Sequence, residues 1–247
     1  VVILPCFFLI LMLVQMIGSE VNDEKTTRSM EIIISNVSPE THFLSKVLAS
    51  TLFVVIQGLL LLGYAIIAVL SRFLFGGGNI INDMGTGLAS QMTSILTTVK
   101  ETGILTTLLQ GLPWILLLFL VSFILYGIVA GVLASMTTSM EDFQQLQTPI
   151  MLIIMVGYYL AIMASQFEGA TFIKIMSYVP MLSFMLSPSL FLLGQISIYG
   201  LAMATLINII FTFIIFKYGL RIYKVGILNY SSTKLWKKMF KSLKNKE

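Results

Sequence analysis

The sequence predicts an all-α integral membrane protein, a bundle of helices that cross the bilayer. Three observations carry that expectation. First, 57% of the 247 residues are hydrophobic and 11% are charged, whereas a soluble domain carries about 25% charged residues. Second, the mean hydropathy is +0.95, and the apolar residues gather into five long runs. A helix needs about 20 such residues to cross the hydrocarbon, and it satisfies its own backbone there. Third, nine of the 15 Lys and Arg residues lie from Lys217 onward, behind the last apolar run. A net charge of +4 placed in that way marks a cytoplasmic flank drawn to anionic lipid, not a nucleic-acid groove.

The first run, 1–17, is apolar apart from Gln15. It is short for a span, and the chain starts at Val1, without Met and already inside apolar sequence. No basic leader or cleavage site of a signal peptide is present. The expectation is that the natural protein has a further N-terminal part.

The stretch 22–39, NDEKTTRSMEIIISNVSP, is the one concentrated run of mixed charge between two long apolar segments. Met30, Ile33, Ile34 and Val37 recur at helical spacing. Glu24 stands four residues before Arg28, the favourable order for a helical ion pair. The pattern predicts a short amphipathic helix outside the membrane. It reads either as a connector lying on the headgroups or as a surface through which another protein moves the spans. Ser38, Pro39 and Glu40 then read as a helix start: a cap, a first-turn proline and an acid at the positive end of the dipole.

The second span is expected over 47–70, interrupted by small residues and Gln57. Residues 71–108 read as a loop. It has a glycine-rich turn at 76–79 and a weakly amphipathic helix near 88–99. The glycines lack the spacing and the Lys-Ser/Thr of a phosphate-binding loop. The third span covers 112–136, with Pro113 at its start. Its flank of Gly127, Gly131, Ala134 and Ser135 is suited to close helix packing. A short polar loop, 137–148, leads to the fourth span, 149–166, opened by Pro149. Residues 167–195 are apolar but punctuated by Glu168, Lys174, Pro180, Pro188 and Gly194. Two short re-entrant helices fit that pattern better than a span, their irregular backbone covered by protein. The fifth span is 196–216. The division is thus a transmembrane domain, 1–230, and a basic amphipathic tail, 231–247. In the tail Leu235, Trp236, Met239, Phe240 and Leu243 share one helical face and predict an interfacial helix.

With the basic tail inside, five spans place 22–39 and 137–148 in the cytoplasm. Residues 71–108 and 167–195 then lie outside. A cytoplasmic N-terminus would require an earlier span, six or more in all.

The chemistry the chain lacks narrows its function. One cysteine, Cys6, and one histidine, His42, leave no internal disulfide, no cysteine-cluster metal site and no multi-histidine site. No carboxylate pair lies within a span, and no zinc-protease or Walker signature is present. Transport, a scaffold or sensor, and a channel remain.

Residues 19–46, SEVNDEKTTRSMEIIISNVSPETHFLSK, resemble the first cytoplasmic loop of type-2 ATP-binding-cassette exporter permeases. They look most like the sodium-export permeases called NatB. The resemblance rests on the EK-x-x-R-x-MEI core at 24–32, the Ser38-Pro39 step and Lys46 leading into the next span. SMEDFQQLQTP at 139–149 resembles that family's second cytoplasmic loop, and RIYKVGILNY at 221–230 its C-terminal segment. The family has six spans with a large external domain after the first, which would place the start of this chain at the second. The resemblance implies that 22–39 holds a coupling helix seated in a groove of the ATPase subunit. Glu24, Lys25, Arg28, Met30, Glu31 and Ile34 would be its contact surface. It also implies re-entrant external helices before the last span.

The resulting expectation is the membrane subunit of an ATP-driven exporter in the cell membrane. It would be a homo- or heterodimer of permeases with separate ATPase subunits that hold ATP and Mg, this chain carrying no cofactor, metal or catalytic residue. A scaffold, a sensor or a channel is the alternative. Sodium and a hydrophobic or amphipathic substrate are weighed equally. A hard cation prefers carboxylate oxygens, and the spans offer only neutral groups. Those along a transport path would be Gln57, Ser122, Tyr126, Tyr158 and Asn208, or they would only bond across helices.

Overall fold

The structure, a computed structural model, describes residues 3–75, 104–167 and 169–227. The elements are α1 (Ile3–Thr26), α2 (Ser29–Asn36), α3 (Pro39–Phe75), α4 (Ile104–Met136), α5 (Met140–Met163), α6 (Thr171–Met176), α7 (Ser183–Leu192) and α8 (Ile198–Ile227). No strand occurs among the described residues. Helices α1, α3, α4, α5 and α8 are long and apolar enough to cross a membrane, so the chain is an all-α multi-pass bundle. The glycine-rich turn at 76–79, the helix expected near 88–99 and the basic tail 231–247 lie outside the described residues.

Several helices outrun the apolar runs that announced them, because their ends are set by caps and not by hydropathy. α1 continues through NDEKT to Thr26, where the Thr26 and Thr27 hydroxyls donate to the Asn22 and Asp23 carbonyls. Arg28 then takes a left-handed conformation, φ 56°, which costs a non-glycine residue roughly 1–2 kcal/mol and ends the helix. The expected single helix over 22–39 is therefore two pieces, the end of α1 and the eight-residue α2. α3 begins at Pro39, eight residues before its apolar run, with Ser38 Oγ accepting from the Thr41 amide at 3.2 Å. α5 begins at Met140, with Ser139 Oγ accepting from the Asp142 amide at 3.2 Å and Glu141 and Asp142 in the first turn. The expected loop 137–148 thus shrinks to its first residues. Pro113 and Pro149 sit inside α4 and α5 rather than at their starts.

α4 is the central helix, the most buried of the five long apolar helices, and α3 is the most exposed. Its small-residue flank receives α1 and α3. A side chain on Gly127 would meet Ile17 and Val47 at 3.2 Å, and one on Gly131 would meet Phe43 at 2.8 Å. α8 forms the most extensive pair with α4. It comes close because Gly219 faces Val132 and Gly226 faces the Ser135 backbone. Farther along α3, Leu59, Leu60, Leu61 and Leu62 are all exposed. Lipid is the medium that suits an apolar surface on every side of a helix.

The expected re-entrant stretch holds two short helices, α6 and α7, at the end of the bundle away from α2; Glu168 lies outside the described residues. Their breaks are closed by side chains. Ser187 Oγ donates to Ser177 O at 2.7 Å, Gln195 Nε2 to Ala164 O at 2.8 Å and Tyr126 Oη to Met181 O at 2.6 Å. Met181 itself has φ 72°. These bonds satisfy backbone groups that the helix breaks leave without an intrahelical partner.

Candidate coupling site

The ends of α1, α3, α4, α5 and α8 converge beside α2, and a polar network joins four of them there. Glu20 and Glu24 are four residues apart on α1, and His42 and Lys46 four apart on α3, so each pair shares one helix face. The faces meet. Lys46 Nζ donates to Glu24 Oε1 at 2.7 Å and to Glu20 Oε2 at 3.1 Å. His42 Nε2 stands 3.1 Å from Glu24 Oε2, an ion pair when the ring is protonated, and neither atom has another partner. His42 Nδ1 lies 2.9 Å from Tyr223 Oη on α8, and the Tyr223 ring packs on Phe43 at 4.4 Å between centroids.

Lys25, the next residue along α1, points a different way and is buried. Its amino group donates to Ser135 O of α4 at 2.6 Å and to Gly226 O of α8 at 3.1 Å. Ser135 is in the last turn of α4, where carbonyls lack an intrahelical partner and the dipole is negative. A cation satisfies both needs. Gly226 makes the site possible, since a Cβ on it would lie 2.8 Å from Ser135 O. Asn22 adds a neutral tie: the Thr137 hydroxyl donates to its Oδ1 at 3.1 Å. Lys224 and Glu40, 2.6 Å apart, close the exposed rim between α8 and α3.

The six coupling candidates therefore divide. Glu24, Lys25 and Met30 face into the bundle; Met30 is 0% exposed and anchors α2. Arg28 and Glu31 are exposed and Ile34 is half-buried. The expected Glu24–Arg28 pair does not form, because the helix breaks between them and Lys46 and His42 take the carboxylate. The outward face of α2 also carries Ile32, 69% exposed, and Ser35, neither of which the apolar periodicity singled out. Sequence reasoning gave no role to Glu20, His42 or Tyr223. The paired i, i+4 spacing of Glu20/Glu24 and His42/Lys46 was the signal that could have joined α1 to α3.

The five pathway candidates also divide. Asn208 Nδ2 donates to Ser122 Oγ at 2.8 Å and to Ser183 Oγ at 3.1 Å, so Ser122 and Asn208 hold α7 against α4 and α8. Tyr126 reaches the same region through Met181. Tyr158 instead packs its ring on Phe7, and Gln57 lies half-buried on α3, away from that set. Among the described residues no group of three or more His, Cys, Asp or Glu could hold a metal ion.

Residues 1–218 match the family described as ABC-2 family transporter protein. The chain is also 27% identical over 242 residues to an uncharacterized protein of Bacillus subtilis, YhaP. That alignment covers 96% of this chain and 53% of YhaP, so the chain spans about half the length of the curated relative it matches. No solved structure matches it. With most of its length matched, and with a membrane bundle of the expected kind, the chain belongs to the ABC-2 transporter family.

Proposed function

We propose that this chain is the permease subunit of an ATP-driven exporter, paired with a second permease and served by separate ATPase subunits that bind ATP and Mg. The observation that carries the reading is α2. It is a short helix held by Met30 between two spans, with Arg28, Glu31, Ile32 and Ser35 turned away from the bundle. A charged rim around an exposed isoleucine suits a protein groove better than bulk water. The proposed contact surface is that outward set, with Ile34 at its edge. Glu24, Lys25 and Met30 support it from behind. In this reading 22–39 is cytoplasmic and the protein resides in the cell membrane.

For the substrate, the resemblance to sodium-export permeases favours sodium. The bundle itself favours a hydrophobic or amphipathic molecule. Its central amide donates to the Ser122 and Ser183 hydroxyls and leaves one neutral oxygen, Asn208 Oδ1, buried without a partner, and its walls are Phe, Met, Ile and Leu. The test is co-expression of the intact protein with a candidate ATP-binding-cassette ATPase from the same organism. Expected results are stable co-purification and ATP hydrolysis that reversal of both Arg28 and Glu31 weakens. A permease that retains no ATPase, or one that conducts ions without ATP, would overturn the proposal.

A further inference from the structure

Glu24 and Lys25 are consecutive, yet one reaches α3 and, through His42, α8, while the other reaches α4 and α8. They occupy the last turn of α1, directly before the Thr27-Arg28 break that leads to α2. Any displacement of α2 pulls first on this turn. A hinge that ended in apolar side chains would let the helix ends slide. Here sliding would separate Lys46 from two carboxylates and an amino group from two carbonyls. The buried Lys25 amino group would lose two charge-assisted hydrogen bonds, the stronger class, with little water nearby to replace them, and the half-buried Lys46 would lose two more. By contrast, α5 is tied to α1 through neutral groups, the long 3.3 Å bond from Gln147 Nε2 to Gln15 Oε1 and the packing of Phe143 against Gly18.

We propose that Glu24, Lys25, His42 and Tyr223 are positioning residues for energy coupling: they clamp the ends of α3, α4 and α8 to α1, so that a movement of α2 carries all four spans together. The proposal rests on the permease reading above. Its partner-facing requirement is nil, because Lys25 is buried and Tyr223 lies in the core. Loss of the clamp should therefore spare ATPase binding and remove the response of the far end of the bundle.

The experiment uses the intact protein with its ATPase, Cys6→Ser as background, and a spin label at Tyr199→Cys, an 81% exposed position at the start of α8. The distance between labels on the two permeases is measured with and without ATP plus vanadate. Tyr223→Phe removes only the hydroxyl and keeps the ring against Phe43; Lys25→Met removes the amino group. Both should co-purify with the ATPase and hydrolyse ATP, while the ATP-driven change in the label distance distribution falls roughly fivefold or more. Should Lys25→Met fail to accumulate, Tyr223→Phe decides alone. A full-sized change in Tyr223→Phe would overturn the clamp, as would loss of ATPase binding in that variant. If the parent protein retains no ATPase, or shows no ATP-driven change, the permease reading falls first and the clamp with it.

Discussion

The ring of Phe143, near the start of α5, fills the space that any side chain on Gly18 would occupy. The glycine thus lets α5 lie against α1 at the α2 end, where among the described residues the ties between the two helices are neutral. Gly18→Ala should force the ring or the helix to move and destabilise the protein by about 1–3 kcal/mol, the range for overpacking a core. Phe143→Leu in the same chain should recover part of that loss. A double-mutant cycle by thermal unfolding in detergent measures it, and additive effects would show that the two residues do not meet.

Ile32 and Met30 sit two positions apart on α2 and should respond in opposite ways. Ile32→Asp changes an exposed residue and should leave the melting temperature nearly unchanged, within about 0.5 kcal/mol of stability. It should lower retention of the ATPase. Met30→Asp places a charge in the core, and burying an unpaired charge is costly, so it should reduce the folded protein itself. Parallel yields and pull-downs separate the two. Equal effects on folding would mean that α2 is not seated as described.

The Asn208 amide is the tie between α7 and the two central helices. Asn208→Leu removes both bonds and leaves the Ser122 and Ser183 hydroxyls without that partner. Interhelical bonds in membranes are worth about 0.6 kcal/mol on average. The loss of two should therefore cost about 1 kcal/mol and loosen 183–192 first. Hydrogen exchange of that segment is the readout, and unchanged protection would remove the assigned role.

How much of this was legible depended on which physical signal set each feature. Hydropathy located all five spans, since nothing else in a sequence resembles twenty apolar residues. Hydropathy alone did not mark the helix ends: the Ser38-Pro39 start of α3 was legible from its capping residues, but the Ser139 cap and the Arg28 break act through hydrogen bonds and backbone angles that leave no hydropathic trace. The prolines misled for the same reason: Pro113 and Pro149 look like starts, yet each lies within a long helix. In the coupling stretch, one helical wheel drawn through 22–39 gave Met30 and Ile34 a shared greasy face. The break at Arg28 detaches Glu24 and Lys25 from that wheel, but within α2 the face holds: Met30 is buried and Ile34 packs on the same core, while Ile32 faces outward. The destination of Lys25 was not readable at all, since its partners are backbone carbonyls more than 100 residues away.

The two ion-pair groups at the α2 end should differ sharply in worth. Lys224 and Glu40 are exposed on the rim, where such a pair contributes about 0–1 kcal/mol and fades with salt. Lys224→Ala should scarcely move the unfolding temperature. Lys46 serves two carboxylates at half-buried positions. Lys46→Met would leave Glu20 and Glu24 facing an apolar side chain. Its cost should be about 2 kcal/mol, below the range for a fully buried broken pair because water still reaches the site. Added salt should not reproduce the Lys46 effect. An equal loss in both variants would mean that burial does not distinguish the pairs.

Orientation gives the last test. The α2 end carries most of the charged residues of α1, α2, α3, α5 and α8, and the opposite end carries α6, α7 and the start of α8. With the basic segment after Lys217 drawn to the cytoplasmic face, Asp23 belongs inside and Tyr199 outside. Both are exposed, so access to a reagent depends on the side of the membrane and not on burial. In a Cys6→Ser background, Tyr199→Cys should react with an impermeant maleimide added to intact cells. Asp23→Cys should react only after the membrane is opened. The reverse pattern would place α2 outside, out of reach of any ATP-hydrolysing partner, and would remove both the export reading and the clamp built on it.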